Sequence, residues 1–335
     1  MTTLHVGSSG RTAAPRYRGR LRLQQWSLLP IWALLIVLFG ILEPHTFLTL
    51  QTFRSIASEQ AITAIMALAL VLPLAAGVYD LSIGGVMGIS MILVAWLQYQ
   101  HHLVPGVAVG LTLIASIAIG CANAVVVLKL KVNSFIATLG MLTILQAGAQ
   151  WVSGGQNVAG GIPSSFKSLG NSKILTVPVP FFYMLGIAVI VWYVTTHRQT
   201  GRYMYAVGAN LDAARLAGVR AERLIAIAFV VSAVLAGLAG MVFTARIGAA
   251  SLGAGPPYLL PAFAATALGA TQSRSRLVNV VGTVIAVYVL ATGVRGLQLV
   301  GAPFWISDLF NGVALISAVA LAERSKRAVA GPAQR

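Results

Sequence analysis

The chain has 335 residues, 58% of them hydrophobic and only 9% charged, with a formal net charge of +16. Soluble domains carry about 25% charged residues, so a pair of water-soluble domains is excluded. The basic residues lie between apolar runs rather than on one surface, which also excludes a nucleic-acid-binding domain. What remains is an all-α polytopic membrane protein, because several apolar runs approach the roughly 20 residues that cross a bilayer.

Residues 1–27 read as a basic cytoplasmic tail carrying Arg11, Arg16, Arg18, Arg20 and Arg22. No small-residue cleavage site follows it, so the first apolar run leads into a span rather than ending a signal peptide. Ten apolar runs follow, at 28–43, 56–76, 81–98, 103–128, 133–152, 178–196, 223–245, 257–271, 278–295 and 303–322, within a transmembrane domain of residues 28–323. The eighth run is short and opens on Pro256, Pro257 and Pro261, which predicts a broken or re-entrant segment. Residues 324–335 form a second basic tail. With the N-terminus inside, ten spans place eighteen of the 23 Lys and Arg residues in cytoplasmic regions. That asymmetry predicts that both the N and C termini are cytoplasmic.

Between the second and third runs stands Asp80, an acid that either caps the helix opening at Leu81, helped by Ser82, or serves the translocation path. Gly84 and Gly88, then Gly106 and Gly110, have the four-residue spacing that lets helices approach closely; Ser232, Ala236, Gly237 and Gly240 make another small face. The single cysteine, Cys121, is expected to be a buried free thiol. Asn123, Gln146 and Asn311 fall inside apolar runs, where they either bond neighbouring helices or line a pore. Phe135, Trp151 and Trp305 are aromatic candidates for stacking on a solute, with an interfacial belt as the alternative for the two tryptophans. Asp308 either pairs with Arg295 or lines the entry. Glycine, serine and proline make 153–177 a loop.

The longest inner connection, 197–222, is the most informative stretch. Asn210 is a good N-cap, Asp212 would sit in the first turn, Arg215 lies toward the C-terminal end, and Gly218 suits the left-handed position after the helix. The spacing predicts a helix of about two turns over 211–217, too short to be stable without a partner surface. It either joins two spans as a surface turn or seats in a groove of a soluble partner.

Residues 201–210, Gly-Arg-Tyr-Met-Tyr-Ala-Val-Gly-Ala-Asn, with Ala213-Ala214-Arg215-Leu216-Ala217-Gly218-Val219, resemble the coupling loop of ribose-type ABC importer permeases of the branched-chain amino acid and sugar permease family. Residues 77–84, residues 133–142 from Asn133 and Phe135 onward, residues 232–240, and Pro303-Phe304-Trp305 are similar to that family too, in its order, over about 45–323. The resemblance implies a membrane-spanning permease subunit that moves a small polar solute, most simply a monosaccharide. It further implies a second permease copy, cytoplasmic ATP-binding subunits and an extracytoplasmic solute-binding protein. Gly208, Asn210, Ala213, Ala214, Arg215, Leu216 and Gly218 would then couple to the ATPase, and Asp80, Asn123, Asn133, Phe135, Gln146, Trp305 and Asn311 are candidates for the path. The chain departs from the family where the eighth segment opens: Tyr258-Leu259-Leu260-Pro261 stands in place of Tyr-Glu-Leu-Asp, and residues 269–276 lack paired glycines.

No Gly-x-x-x-x-Gly-Lys-Ser/Thr loop occurs in the sequence, so the chain itself is expected to bind no cofactor, with ATP and magnesium on the partner ATPase. His101 and His102 are an adjacent pair without further ligands, so no metal site is expected. No serine has a base in a recognisable motif, so the chain is not expected to be an enzyme. The other readings are a permease for branched-chain amino acids or nucleosides, a secondary transporter, for which intramembrane acids are scarce, and a membrane scaffold.

Overall fold

The computed structural model describes residues 28–174, 176–272 and 278–329. The N-terminal tail with its five arginines, Arg274 and Arg276, and the end of the C-terminal tail lie outside the described residues.

Each of the ten apolar runs is helical: α1 (Leu28–Leu42), α2 (Leu50–Ala75), α3 (Ile83–Tyr99), α4 (Pro105–Leu128), α5 (Ser134–Ser153), α7 (Val179–His197), α10 (Ala221–Ile247), α11 (Leu259–Ala270), α12 (Val280–Leu299) and α13 (Ile306–Val329). Among the described residues six of these, α2, α4, α5, α7, α10 and α12, are long and apolar enough to cross a membrane, and α1, α3 and part of α13 are shorter apolar helices. The eighth run is broken, as its prolines predict: a 3-10 turn at Pro256–Tyr258 precedes the twelve-residue α11. A helix of that length spans about 18 Å, short of the hydrocarbon core.

Local signals set the helix ends. Thr49 caps α2 by accepting from the Thr52 amide at 3.2 Å, Pro105 opens α4, and Asn279 caps α12 by accepting from the Gly282 amide at 2.6 Å. Two corrections fall in the connections. The stretch 153–177 is not wholly loop: it holds α6 (Ser164–Asn171) and short strands β1 (Val158–Ala159), β2 (Lys173–Ile174) and β3 (Val177–Pro178). β1 pairs antiparallel with β4 (Ala249–Ala250), and β2 with β3. The stretch 197–222 holds α8 (Gln199–Ala209) as well as the expected short helix, α9 (Leu211–Leu216).

The core is built on α2, whose residues 61–72 are all buried, with α2, α3 and α4 packed against α10. A Cβ on Gly240 would run into the Met87 carbonyl oxygen, and one on Gly237 into the Ser116 hydroxyl, so the 232–240 face packs as closely as its composition predicts. The two Gly-x-x-x-Gly pairs divide. Gly84 and Gly88 lie against the backbone of Gly255 and Pro256, whereas among the described residues a Cβ added at Gly106 or Gly110 would meet nothing within 4 Å beyond its own helix.

Helices α1, α4, α5, α7 and α13 form the periphery and expose branched apolar side chains, among them Ile41, Ile114, Ile136, Ile190 and Ile316. A surface of this kind suits lipid rather than water. Cys121 belongs to it: the thiol is exposed, not buried as expected. The inward stripe of α4 runs through Ala108, Thr112, Ser116, Gly120, Asn123 and Ala124, which leaves position 121 on the outward side.

Candidate functional site

The α8–α9 unit is tied to the bundle by close backbone approach. Gly201 faces Val194 and Thr195 at the α7–α8 turn, where any Cβ would clash. Gly208 at the end of α8 lies on the Ala75 carbonyl and the Gly77 amide, at the turn that follows α2. Met204 and Val207 of α8 and Ala214 of α9 are buried with Leu72, Ala124, Ile225 and Phe229, so ends of α2, α4 and α10 share one cluster with the loop. The Tyr205 hydroxyl donates to the Val278 carbonyl at 2.6 Å, which adds the start of α12.

Both ends of α9 are held by their own residues. The Asn210 side chain accepts from the Ala213 amide at 2.9 Å, the expected N-cap. Gly218 has φ +80°, its amide donates to the Arg215 carbonyl at 2.9 Å, and the Val219 amide donates to the Ala214 carbonyl at 3.0 Å. These two bonds are the 5→2 and 6→1 bonds of a Schellman motif. Six residues of helix thus need two dedicated caps. Of these six only Ala214 is buried; Leu211, Asp212, Ala213, Arg215 and Leu216 are exposed, Leu216 to 91%. Arg215 pairs with Glu222 at 3.3 Å on the surface, a contact of about 0–1 kcal/mol.

The path candidates separate into groups. Asp80 is fully buried, and its Oδ1 accepts from the Ser82 amide at 3.0 Å and the Ser82 hydroxyl at 2.6 Å. Asn123 Nδ2 on α4 donates to the same hydroxyl at 2.7 Å. Asp80 therefore shapes the turn into α3, and Asn123 bonds across helices. On the other side of this turn Asn133 caps α5, accepting from the Phe135 amide at 2.9 Å, and the half-exposed Phe135 meets Tyr79 edge-on at 6.4 Å. The Ser134 hydroxyl accepts from the Tyr79 amide at 3.1 Å, and Thr138 accepts from the Leu81 amide at 3.0 Å. One turn, 76–82, thus collects four of the seven candidates and touches Gly208 of the α8–α9 unit.

Gln146 stands apart, beside Gly84, Gly85, Gln150 and Pro256 at a small cavity of about 50 Å³. Trp305 just precedes peripheral α13 and Asn311 lies on it, and no hydrogen bond or ring contact among the described residues ties either to these groups. Among the described residues Asp308 and Arg295 form no ion pair; Asp308 is exposed and Arg295 Nε is buried without a partner. Sequence reasoning passed over Tyr79, Ser134 and Thr138, whose signal was only their place within two polar-interrupted stretches. No group of three or more metal-ligating side chains occurs among the described residues.

Residues 53–319 match the family model described as branched-chain amino acid transport system / permease component. The ribose import permease protein of Escherichia coli K12 is 32% identical over 323 residues, covering 95% of this chain and 98% of its own length. The D-allose transport system permease protein of the same organism is 29% identical, with 87% and 89% covered. The autoinducer 2 import system permease protein of Enterobacter sp. is 29% identical, with 88% and 90% covered. No solved structure matches the chain. The match over nearly all of the bundle and the run of apolar helices together make this a multi-pass protein of the inner membrane, and the chain belongs to the branched-chain amino acid transport system / permease component family.

Proposed function

We propose that the chain is the membrane-spanning subunit of an ATP-binding-cassette importer that carries a monosaccharide into the cell, with ten membrane segments and both termini in the cytoplasm. The near full-length similarity to permeases named for ribose and allose import supports the solute class. The charge asymmetry supports the orientation. The observation that carries the coupling role is α9 itself, a six-residue helix with a cap at each end and an exposed Leu216, joined through Asn210 to α8, whose Gly208 lies on the turn that holds Asp80. Such a helix gives a soluble ATPase subunit something rigid to grip, and Gly208 against Ala75 and Gly77 passes movement of the grip to the ends of α2 and α3.

In this reading ATP and magnesium are bound by the ATPase subunits, an extracytoplasmic binding protein delivers the sugar, and a second permease copy completes the path. Ser82, Asp80 and Asn123 act as the joint of the moving turn, and Phe135 with Tyr79 stands at its exposed edge.

The test is to purify the chain with its ATPase subunit, reconstitute both in lipid, and measure ATP hydrolysis with and without binding protein. Stimulated hydrolysis together with sugar uptake is the expected result. Sugar uptake by the chain alone, driven by a proton or sodium gradient, refutes the reading and favours a secondary transporter.

A further inference from the structure

α10 is about 40 Å long, so its last turn lies at the opposite end of the bundle from α9. Four elements meet there around a partly open cavity of about 450 Å³: the third turn of α2, the end of α6, the end of α10 and the 3-10 turn before α11. The volume is within the range of small-molecule sites. Its walls are built rather than accidental. The Asn171 amide of α6 donates to the Ala245 and Arg246 carbonyls at 3.2 and 3.0 Å and to the Lys167 carbonyl at 3.1 Å, which satisfies the open end of α10 and fixes where Arg246 departs. The Phe243 ring packs edge-on against the Tyr258 ring, with centroids 5.5 Å apart.

Apart from Asn171, the polar side chains of this cavity are not committed to hydrogen bonds with the rest of the described residues. Arg246 Nη2 and Glu59 Oε1 are 3.6 Å apart, an ion pair but not a hydrogen bond, with the side chains 25% and 49% exposed. Among the described residues the side chains of Glu59, Gln60, Arg246 and Tyr258 make no hydrogen bond. Both charges lie within electrostatic reach of the Tyr258 phenol. A half-exposed pair adds little to stability, so stability does not explain it. The residues around it, 255–261, contain no acid; the carboxylate beside Tyr258 comes from α2.

We propose that this cavity is a receiving site for a monosaccharide, held by Glu59, Gln60, Arg246 and Tyr258 against the Phe243–Tyr258 wall; the proposal rests on the reading of the chain as a sugar importer. A sugar offers adjacent hydroxyls, each both donor and acceptor, and a face of C–H bonds. A carboxylate accepts from two neighbouring hydroxyls and a guanidinium donates to two, while the amide and phenol do either. The aromatic wall takes the C–H face. A neutral sugar does this without breaking the Glu59–Arg246 pair. A zwitterionic amino acid would need to displace it, one charge against each partner.

The test uses the full-length chain in lipid nanodiscs, with D-ribose and D-allose as probes and saturation-transfer NMR as the readout. Saturable transfer to at least one sugar is expected, with at least tenfold weaker binding in the charge-neutral pair E59Q/R246Q and weaker binding in Tyr258→Phe, which removes only a hydroxyl. L-leucine should not displace the sugar. Equal sugar binding in wild type and both variants overturns the proposal, as does displacement by L-leucine. Uptake by the assembled importer separates the two layers. Uptake of D-ribose or D-allose with KM unchanged in both variants overturns the cavity proposal and leaves the importer reading intact, whereas uptake of no monosaccharide overturns both.

Discussion

Replacing Gly218 by alanine tests the coupling helix with little disturbance elsewhere. Gly218 has φ +80°, and an added Cβ would meet no atom within 4 Å, so the cost is backbone strain rather than a clash with the bundle. A non-glycine residue in the left-handed region costs roughly 1–2 kcal/mol. That is enough to lower the population of the closed cap about 5–30-fold. α9 has only six residues and cannot absorb such a loss, because a helix this short does not persist on its own propensity. The assay is sugar transported per ATP hydrolysed in proteoliposomes with the ATPase subunit and binding protein. Gly218→Ala should reduce that ratio severalfold while the melting temperature of the bundle stays close to wild type. Gly218→Asn should recover most of it, since asparagine tolerates the left-handed region. Full coupling in Gly218→Ala, or equal damage from both substitutions, would refute the reasoning.

Gly240→Ala places a Cβ on the Met87 carbonyl and should destabilise the α3–α10 crossing by about 1–3 kcal/mol, read as a lower melting temperature in detergent. Leu216→Ser alters a side chain that touches almost nothing in the chain, so thermal stability should hold while affinity for the ATPase subunit, measured by surface binding, falls. Asp80→Asn keeps an acceptor for the Ser82 amide and hydroxyl and should fold and transport, whereas Asp80→Leu leaves both donors unpaired in the core and should cost about 1–3 kcal/mol, seen in denaturant melts.

The parts of the structure that were legible in the sequence are those decided locally. Asn210 and Gly218 announced the ends of α9 because a cap needs only its own turn, and the apolar runs announced the helices because hydropathy is summed along a segment. α8 was not legible, since Gly201 and Gly208 read as loop residues. Both glycines are instead required by neighbours distant in sequence or around a turn, Gly208 by Ala75 and Gly77 in particular. Hydropathy also fails to separate a face turned to the core from one turned to lipid, which is why Cys121 was placed inside. The same limit left the path candidates ungrouped in the sequence. Asp80 and Asn123 share the Ser82 hydroxyl only because α4 packs beside the turn after α2. Glu59 and Arg246 carry no motif, and Tyr258 stood out only as the opening of the stretch that departs from the family; 187 and 12 positions separate the three in sequence order, and only the fold brings them to one cavity.

The central claim is that an ATPase drives sugar through this chain by way of α9. The most direct measurement is uptake of labelled D-ribose or D-allose into proteoliposomes holding the chain and its ATPase subunit, with binding protein outside and ATP inside. The account predicts uptake that requires ATP hydrolysis and is lost when the ATPase subunit is omitted. Uptake that persists without ATP or without that subunit would contradict it.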